Sequence, residues 1–184
     1  LEGNDVIVDG KAYAVDCLIF ATGFEVGTAY TRRAGYDIVG RGGVKLSDYW
    51  SGGLRTFHGL MAHQFPNCFF LGFTQTGVTI NAPHTLDQQA RHVAYLVRTL
   101  ADRGLSVIEP TAEAEQAYVE EIRSLAGLNA RFYDECTPGY YNGEGEEGHR
   151  ASFFFEMYGL GPVRFFEMLD AWRAEGTLKG MAVA

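Results

Sequence analysis

Residues 68–90, CFFLGFTQTGVTINAPHTLDQQA, run from an apolar segment through a polar loop into a long amphipathic stretch. In the loop, Gln75, Thr76, Gly77, Thr79 and Asn81 can form hydrogen bonds without bulk, and Val78 separates them. A loop that ends a strand and opens a helix gathers free N–H groups and the positive end of the helix dipole at one place. Such a place suits an anionic or electron-rich oxygen, as on the edge of a flat ring or on a phosphate. An ordinary strand-to-helix loop with a polar cap has the same composition.

A second segment ends in the same way. The string DCLIFATGF, residues 16–24, stops on Ala21, Thr22 and Gly23. A glycine at a strand end lets another backbone or a cofactor approach closely, and a threonine hydroxyl can satisfy a stray backbone group or touch a ligand. Other candidates are weaker. His58, His63 and Cys68 lie close in sequence, but a transition-metal site needs three or four ligands in tight geometry, and no metal site is expected. His84 stands at the mouth of the loop's helix, either touching a ligand or solvated. Ser47, Ser51 and Ser152 have no G-x-S-x-G context. Glu144, Glu146 and Glu147 form an acidic run of the kind found on solvated loops. Phe153, Phe154, Phe155, Tyr158, Phe165 and Phe166 form an aromatic cluster that suits a core or a contact between domains.

The elements that must position these residues can be read from local pattern. Asp9-Gly10 sits between β-formers and predicts a hairpin. The run from Asp16 to Gly23 reads as a strand covered on both faces. Two short strands are expected about Gly42-Gly43, and another from Cys68 to Phe73 after a turn at Pro66-Asn67. A helix follows with Leu86, Ala90, Val93, Ala94, Val97, Leu100 and Ala101 on one face. Thr85 and Gln88 suggest its capping box, and Gly104 its end. Thr111 is expected to cap a second helix with Glu113 and Glu115 in its first turn. Residues 131–150 read as a loop, and a last helix is expected from Pro162 to Glu175, ended by Gly176.

The bulk properties narrow the function classes. The chain has 184 residues, of which 47% are hydrophobic and 21% charged, as in a globular protein. Its net charge of -8, with no basic run, argues against a nucleic-acid partner. No apolar run approaches the roughly 18 residues of a membrane span, and no secretory signal stands at the start. Three cysteines without a C-x-x-C pair fit a reducing cytoplasm, and Cys17 and Cys68 in apolar runs read as buried thiols. Abundant glycine (23) and 14% aromatics suit a protein that wraps a flat ligand.

Taken in order, these motifs resemble the C-terminal part of flavin-dependent class B monooxygenases, in particular the Baeyer–Villiger monooxygenases. DCLIFATGF is similar to the family's D-x-(V/I)-(I/V)-x-A-T-G-F signature. Leu46, Trp50, Thr56, Gly59, Phe65, Pro66, Asn67 and Phe69 fall in step with its next conserved stretch. ECTPGYYNGEG and GPVRFFEMLDAWRAEG resemble the loop and closing helix of a branch that handles bulky ketones. The resemblance implies an α/β fold, part of a flavoprotein with two dinucleotide-binding domains. Residues 1–26 would form the junction of the NADP and FAD domains, 27–104 the C-terminal part of the FAD domain, and 105–184 a helical extension containing the 131–150 loop.

The resemblance further implies FAD and NADP as cofactors, and a ketone and O2 as substrates, with one oxygen atom inserted to give an ester or lactone. Ala21, Thr22, Gly23, Gln75, Thr76, Gly77, Val78, Thr79 and Asn81 would border the cofactors. Ile80, Ala82 and Tyr140 would border the substrate cavity. Two departures stand out: Gly139 and Tyr140 occupy the region where the family often has a Trp before its Tyr, and FTQTG replaces the commoner G-P-x-S. The one G-x-G-x-x-G string, GEGEEG at residues 143–148, lies in the acidic loop rather than between a strand and a helix and is no dinucleotide fingerprint, and the family's catalytic Arg lies upstream of the matched region. The chain is therefore expected to be a portion of a longer enzyme and inactive alone. An N- or S-oxygenating flavin monooxygenase and a non-catalytic binding module are the rival readings.

Overall fold

The computed structural model describes residues 3–21, 31, 34–135 and 156–184. It opens with an antiparallel hairpin of β1 (Asp5–Val8) and β2 (Lys11–Ala14), with Val6 opposite Tyr13. Asp9 and Gly10 both have positive φ, as the expected two-residue turn requires. Residues 16–21 differ from the expected buried strand: they join no sheet among the described residues, and Ile19 and Phe20 are 81% and 76% exposed. Cys17 is exposed with them rather than buried. An apolar run becomes a strand only where neighbouring strands take its N–H and C=O groups.

Around Gly42 the two expected strands reduce to one bridge, Val39 to Lys45, about a 3-10 turn. A single helical turn, α1 (Leu46–Tyr49), follows. The run from Cys68 to Phe73 is irregular chain rather than a strand. Its geometry is held by a side chain: Gln89 accepts from Gly72 N–H at 3.0 Å and donates to Gly72 C=O at 2.7 Å. The amide of Gln89 thus does locally what a partner strand would do.

Helix α2 (Ala82–Asp102) begins three residues before the expected cap, with Pro83 in its first turn. Its buried face is Thr85, Gln89, His92, Leu96 and Leu100, while Leu86 and Val97 are exposed. Hydrophobic spacing predicts burial of the most apolar stripe; the helix buries instead the stripe whose polar groups have partners inside. Next, β3 (Ile108–Pro110) leads into α3 (Ala112–Glu135), where Thr111 Oγ1 accepts from Ala114 N–H at 3.2 Å as the predicted cap. The helix continues to Glu135, so residues 131–135 are helical rather than loop, and 136–150 lie outside the described residues. Helix α4 (Gly161–Glu175) ends on Gly176 in the left-handed region, as expected. Finally β4 (Met181–Val183) pairs antiparallel with β3, two strands too short to have a sequence signature.

Three apolar clusters fill the interior. Leu60, Met61, Leu96, Ile108 and Trp172 join α2, β3 and α4; Tyr118, Ile122, Phe165 and Leu169 join α3 and α4; Leu46, Ala62, Phe65 and Phe70 surround α1. Of the aromatic cluster, Phe165 is fully buried and Tyr158 nearly so; residues 153–155 lie outside the described residues. Among the described residues no helix is long and apolar enough to cross a membrane.

Glu115 lies in the first turn of α3, as expected, and is fully buried. Its carboxylate accepts from Tyr49 OH at 2.6 Å, Arg55 Nε at 3.2 Å and His63 N–H at 2.8 Å. Removing a buried carboxylate leaves three donors without an acceptor, so Glu115→Ala is expected to lower unfolding free energy by about 3 kcal/mol. Urea unfolding followed by circular dichroism measures it.

Candidate functional site

The polar loop divides into a buried half and an open half. Thr74, Gln75 and Thr76 are buried, with at most 1% exposure. Gly59, at φ 66, lies so close that an added Cβ would meet Thr74 C=O at 2.6 Å and Gln75 C=O at 2.8 Å. On the other side, a Cβ on Gly77 would meet Phe165 Cβ at 2.6 Å and Pro162 Cα at 2.7 Å. The loop is therefore gripped between the segment after Thr56 and the first turn of α4, and its small residues serve that close approach.

The side chain of Gln75 is spent inside the protein. It accepts from Thr56 Oγ1 at 2.5 Å and donates to Leu54 C=O at 3.0 Å and to Glu156 Oε2 at 2.6 Å. Its own carbonyl accepts from Tyr118 OH at 2.6 Å. Burial first, then the charge of Glu121 and the nearby Tyr158, hold the Tyr118 hydroxyl well above its usual pKa, so it remains a donor. Tyr158 N–H donates to Thr76 C=O at 3.0 Å. The hydroxyls of Thr74 and Thr76 are buried without a hydrogen-bond partner.

Beyond Gly77 the chain comes to the surface. Val78 and Thr79 are half-buried, Ile80 is fully exposed, and Asn81, Pro83 and His84 are exposed. Thr79 Oγ1 donates to Asn81 C=O at 2.6 Å, which folds the rim back on itself. Asn81 gives α2 no side-chain cap, so the start of the helix faces outward beside Ile80. Of the residues expected to meet a ligand, Val78, Thr79, Ile80, Asn81 and Ala82 make this open rim. Gln75, Thr76 and Gly77 stand behind it, Ala21 is exposed, and Thr22, Gly23 and Tyr140 lie outside the described residues.

The histidines go to separate places. His63 Nδ1 lies 3.0 Å from Pro110 C=O, and His84 stands edge-on to Phe166. His58 is buried with His92, which sequence pattern did not single out; the two rings approach to 3.4 Å, Nδ1 to Nε2. Arg173 Nη1 lies 3.2 Å from His92 Nδ1. A guanidinium can only donate, so His92 Nδ1 accepts and its proton sits on Nε2, directed at His58 Nδ1. The His58 proton is then on Nε2. Among the described residues no three metal-binding side chains gather at one point.

Comparison with known proteins adds the class. The chain matches no protein-family model. It is 46% identical over 183 residues to a pentalenolactone D synthase of Streptomyces arenae, covering 98% of the chain and 31% of that protein. It is 42% identical to Baeyer-Villiger monooxygenase 4 of Dietzia sp., covering 98% of the chain and 29% of that protein. Among solved structures, a polycyclic ketone monooxygenase from Thermothelomyces thermophila superposes with a TM-score of 0.81 at 35% identity, covering 97% of the chain and 29% of that protein. A steroid monooxygenase bound to NADP does so with a TM-score of 0.75 at 28% identity, over the whole of the chain and 32% of that protein. The fold is thus that of a portion of a two-domain flavoprotein monooxygenase. Over nearly all of its length the chain is similar to Baeyer–Villiger monooxygenases, and it spans 31% and 29% of the lengths of the Streptomyces arenae and Dietzia proteins.

Two outcomes follow from this geometry. Burial, then Arg173, lowers the His92 pKa to about 4, and burial, then His92 and Arg173, holds His58 well below 6.5. Between pH 6.5 and about 4 the unfolded chain binds protons that folded His92 does not. Stability is therefore full above pH 6.5 and falls as pH drops toward 4, by about 3 kcal/mol from His92. Imidazole NMR signals should show no titration of His92 from pH 8 to 5. Separately, Gly77→Ala should cost about 2 kcal/mol, because α4 must move to admit the methyl group; thermal unfolding reads the loss.

Proposed function

We propose that this chain is part of an FAD- and NADPH-dependent Baeyer–Villiger monooxygenase that inserts one oxygen atom of O2 beside a ketone carbonyl. The observation that carries this reading is the likeness to ketone-oxygenating proteins over nearly the whole chain. The open rim fits the implied cofactor. At the start of α2 Pro83 has no N–H and His84 N–H donates to Asn81 C=O at 3.0 Å, so the N–H of Ala82 and the positive dipole end are what would meet the electron-rich edge of a flat ring. Bound flavin, once reduced by NADPH, would supply the activation of O2.

This chain's residues would do the positioning. Val78, Thr79 and Asn81 would line the ring edge through backbone groups. Ile80, wholly exposed here, would offer an apolar surface to substrate, and Ala82 would leave space beside it. Ala21, Thr22 and Gly23 would form another wall and Tyr140 a further part of the substrate cavity. Residues 1–26 would join the two cofactor domains, 27–104 complete the FAD domain, and 105–184 form the helical extension.

The full-length protein that carries this chain tests the reading. It should purify with bound flavin, consume NADPH in response to bulky ketones, and yield a lactone or ester one oxygen heavier than the ketone by mass spectrometry. Oxygenation of amines or sulfides without any lactone would assign it to the N- or S-oxygenating class instead. Residues 1–184 alone should retain little FAD and show no oxygenation.

A further inference from the structure

The open rim has no regular secondary structure of its own, yet α2 begins directly from it. Something must fix where residues 78–81 stand, and the structure locates the fixing point three residues upstream of Val78. Gln75 is a non-glycine residue at φ 52, a backbone conformation that persists only where surrounding contacts over-determine it. Both amide protons of Gln75 and its side-chain oxygen are used. Three of the four hydrogen-bond partners of Gln75, namely Thr56, Leu54 C=O and Tyr118, are neutral. The fourth is the carboxylate of Glu156, whose side chain is 13% exposed and faces Arg123 Nε at 3.5 Å. A hydrogen bond to an ionised acceptor is roughly twice as strong as a neutral one.

We infer that Glu156 is a positioning residue for the rim of residues 78–81, acting through the Gln75 amide. The carboxylate holds Gln75 in its left-handed conformation, and Tyr158, two residues further on, fixes the next carbonyl through its N–H. Residues 156–158 therefore set the direction in which the chain leaves Gly77. Arg123, half-exposed on α3, faces the carboxylate at 3.5 Å and helps hold it in place. The effect of Glu156 reaches the rim through Gln75 and the backbone geometry. The placement of a ligand-facing rim rests on the proposed oxygenase function, whereas the mechanical claim does not.

Amide hydrogen exchange on the full-length protein separates the two. In Glu156→Ala, peptides covering residues 74–81 should exchange about tenfold faster, the factor that matches loss of one charge-assisted hydrogen bond. Peptides from the middle of α2 and from α3 should be unchanged. Glu156→Gln keeps an acceptor oxygen without the charge and should restore about half of the lost protection, leaving exchange about threefold faster than wild type. Gln75→Leu, with Glu156 intact, should reproduce the alanine variant. In the flavin-loaded protein the alanine variant should also convert a smaller share of consumed NADPH into product, with the KM for NADPH unchanged. Wild-type exchange at 74–81 in Glu156→Ala overturns the inference, whatever Gln75→Leu shows, as does a uniform rise across the whole chain. A wild-type protein without flavin would sink the functional reading and leave the exchange result to decide this one.

Discussion

A buried carboxylate organises this chain. Glu115 sits in the first turn of α3 with no exposure, and three donors from different parts of the preceding segment converge on it. An ionised carboxylate in the interior is tolerable only when its lone pairs are filled. That requirement fixes Tyr49, Arg55 and His63 relative to the helix. Tyr49 records the environment: burial, then the neighbouring Glu115, raises its hydroxyl to a pKa of about 12, so it stays a donor. Arg55 reaches on to Gln116 Oε1 at 2.7 Å, so one guanidinium binds two neighbours on the same helix. With residues 49–63 held in this way, Thr56 and Gly59 are carried into place against the polar loop.

Side-chain amides replace sheet in much of the interior. Gln89 brackets Gly72, and Asn67 brackets the entry to β3: it accepts from Ile108 N–H and donates to Ser106 C=O, each at 2.9 Å. Asn67 N–H also donates to Ile108 C=O at 2.9 Å. Asn67 takes φ 56, a left-handed conformation that Asn tolerates better than most residues. An amide carries a donor and an acceptor side by side, so one residue can satisfy an isolated stretch of backbone. The result is a compact layer of irregular chain under α2, built without a ladder.

Features set by near neighbours in sequence were legible: the Asp9-Gly10 turn, the Thr111 cap and the Gly176 stop. Each depends on one residue type and a local backbone demand. Features set across space were not. The run at 68–73 has the composition of a strand, but Gln89 from α2 takes the place of a partner. The buried face of α2 follows Thr85, Gln89 and His92, and no hydrophobic pattern shows that Gly72 and His58 await the last two. The motif from Leu46 to Phe69 was recognisable as a resemblance, while its work here is largely packing and backbone pairing. Residues 75–82 read in sequence as one candidate stretch, and their division was not legible: burial of Gln75 to Gly77 depends on Gly59, Glu156 and Phe165, all distant in sequence.

That division has an evolutionary consequence. Folding constraints bear on residues up to 77, where a single added methyl group collides with α4, and they relax at residues 78–81, which lie half or fully in the open. Mutations therefore fall into two populations. Those in the buried half are removed because the chain no longer folds. Those in the rim survive folding and meet selection only through what the rim touches. Side chains at 78–81 can in this way change over descent while the buried half that positions their backbone is inherited unchanged.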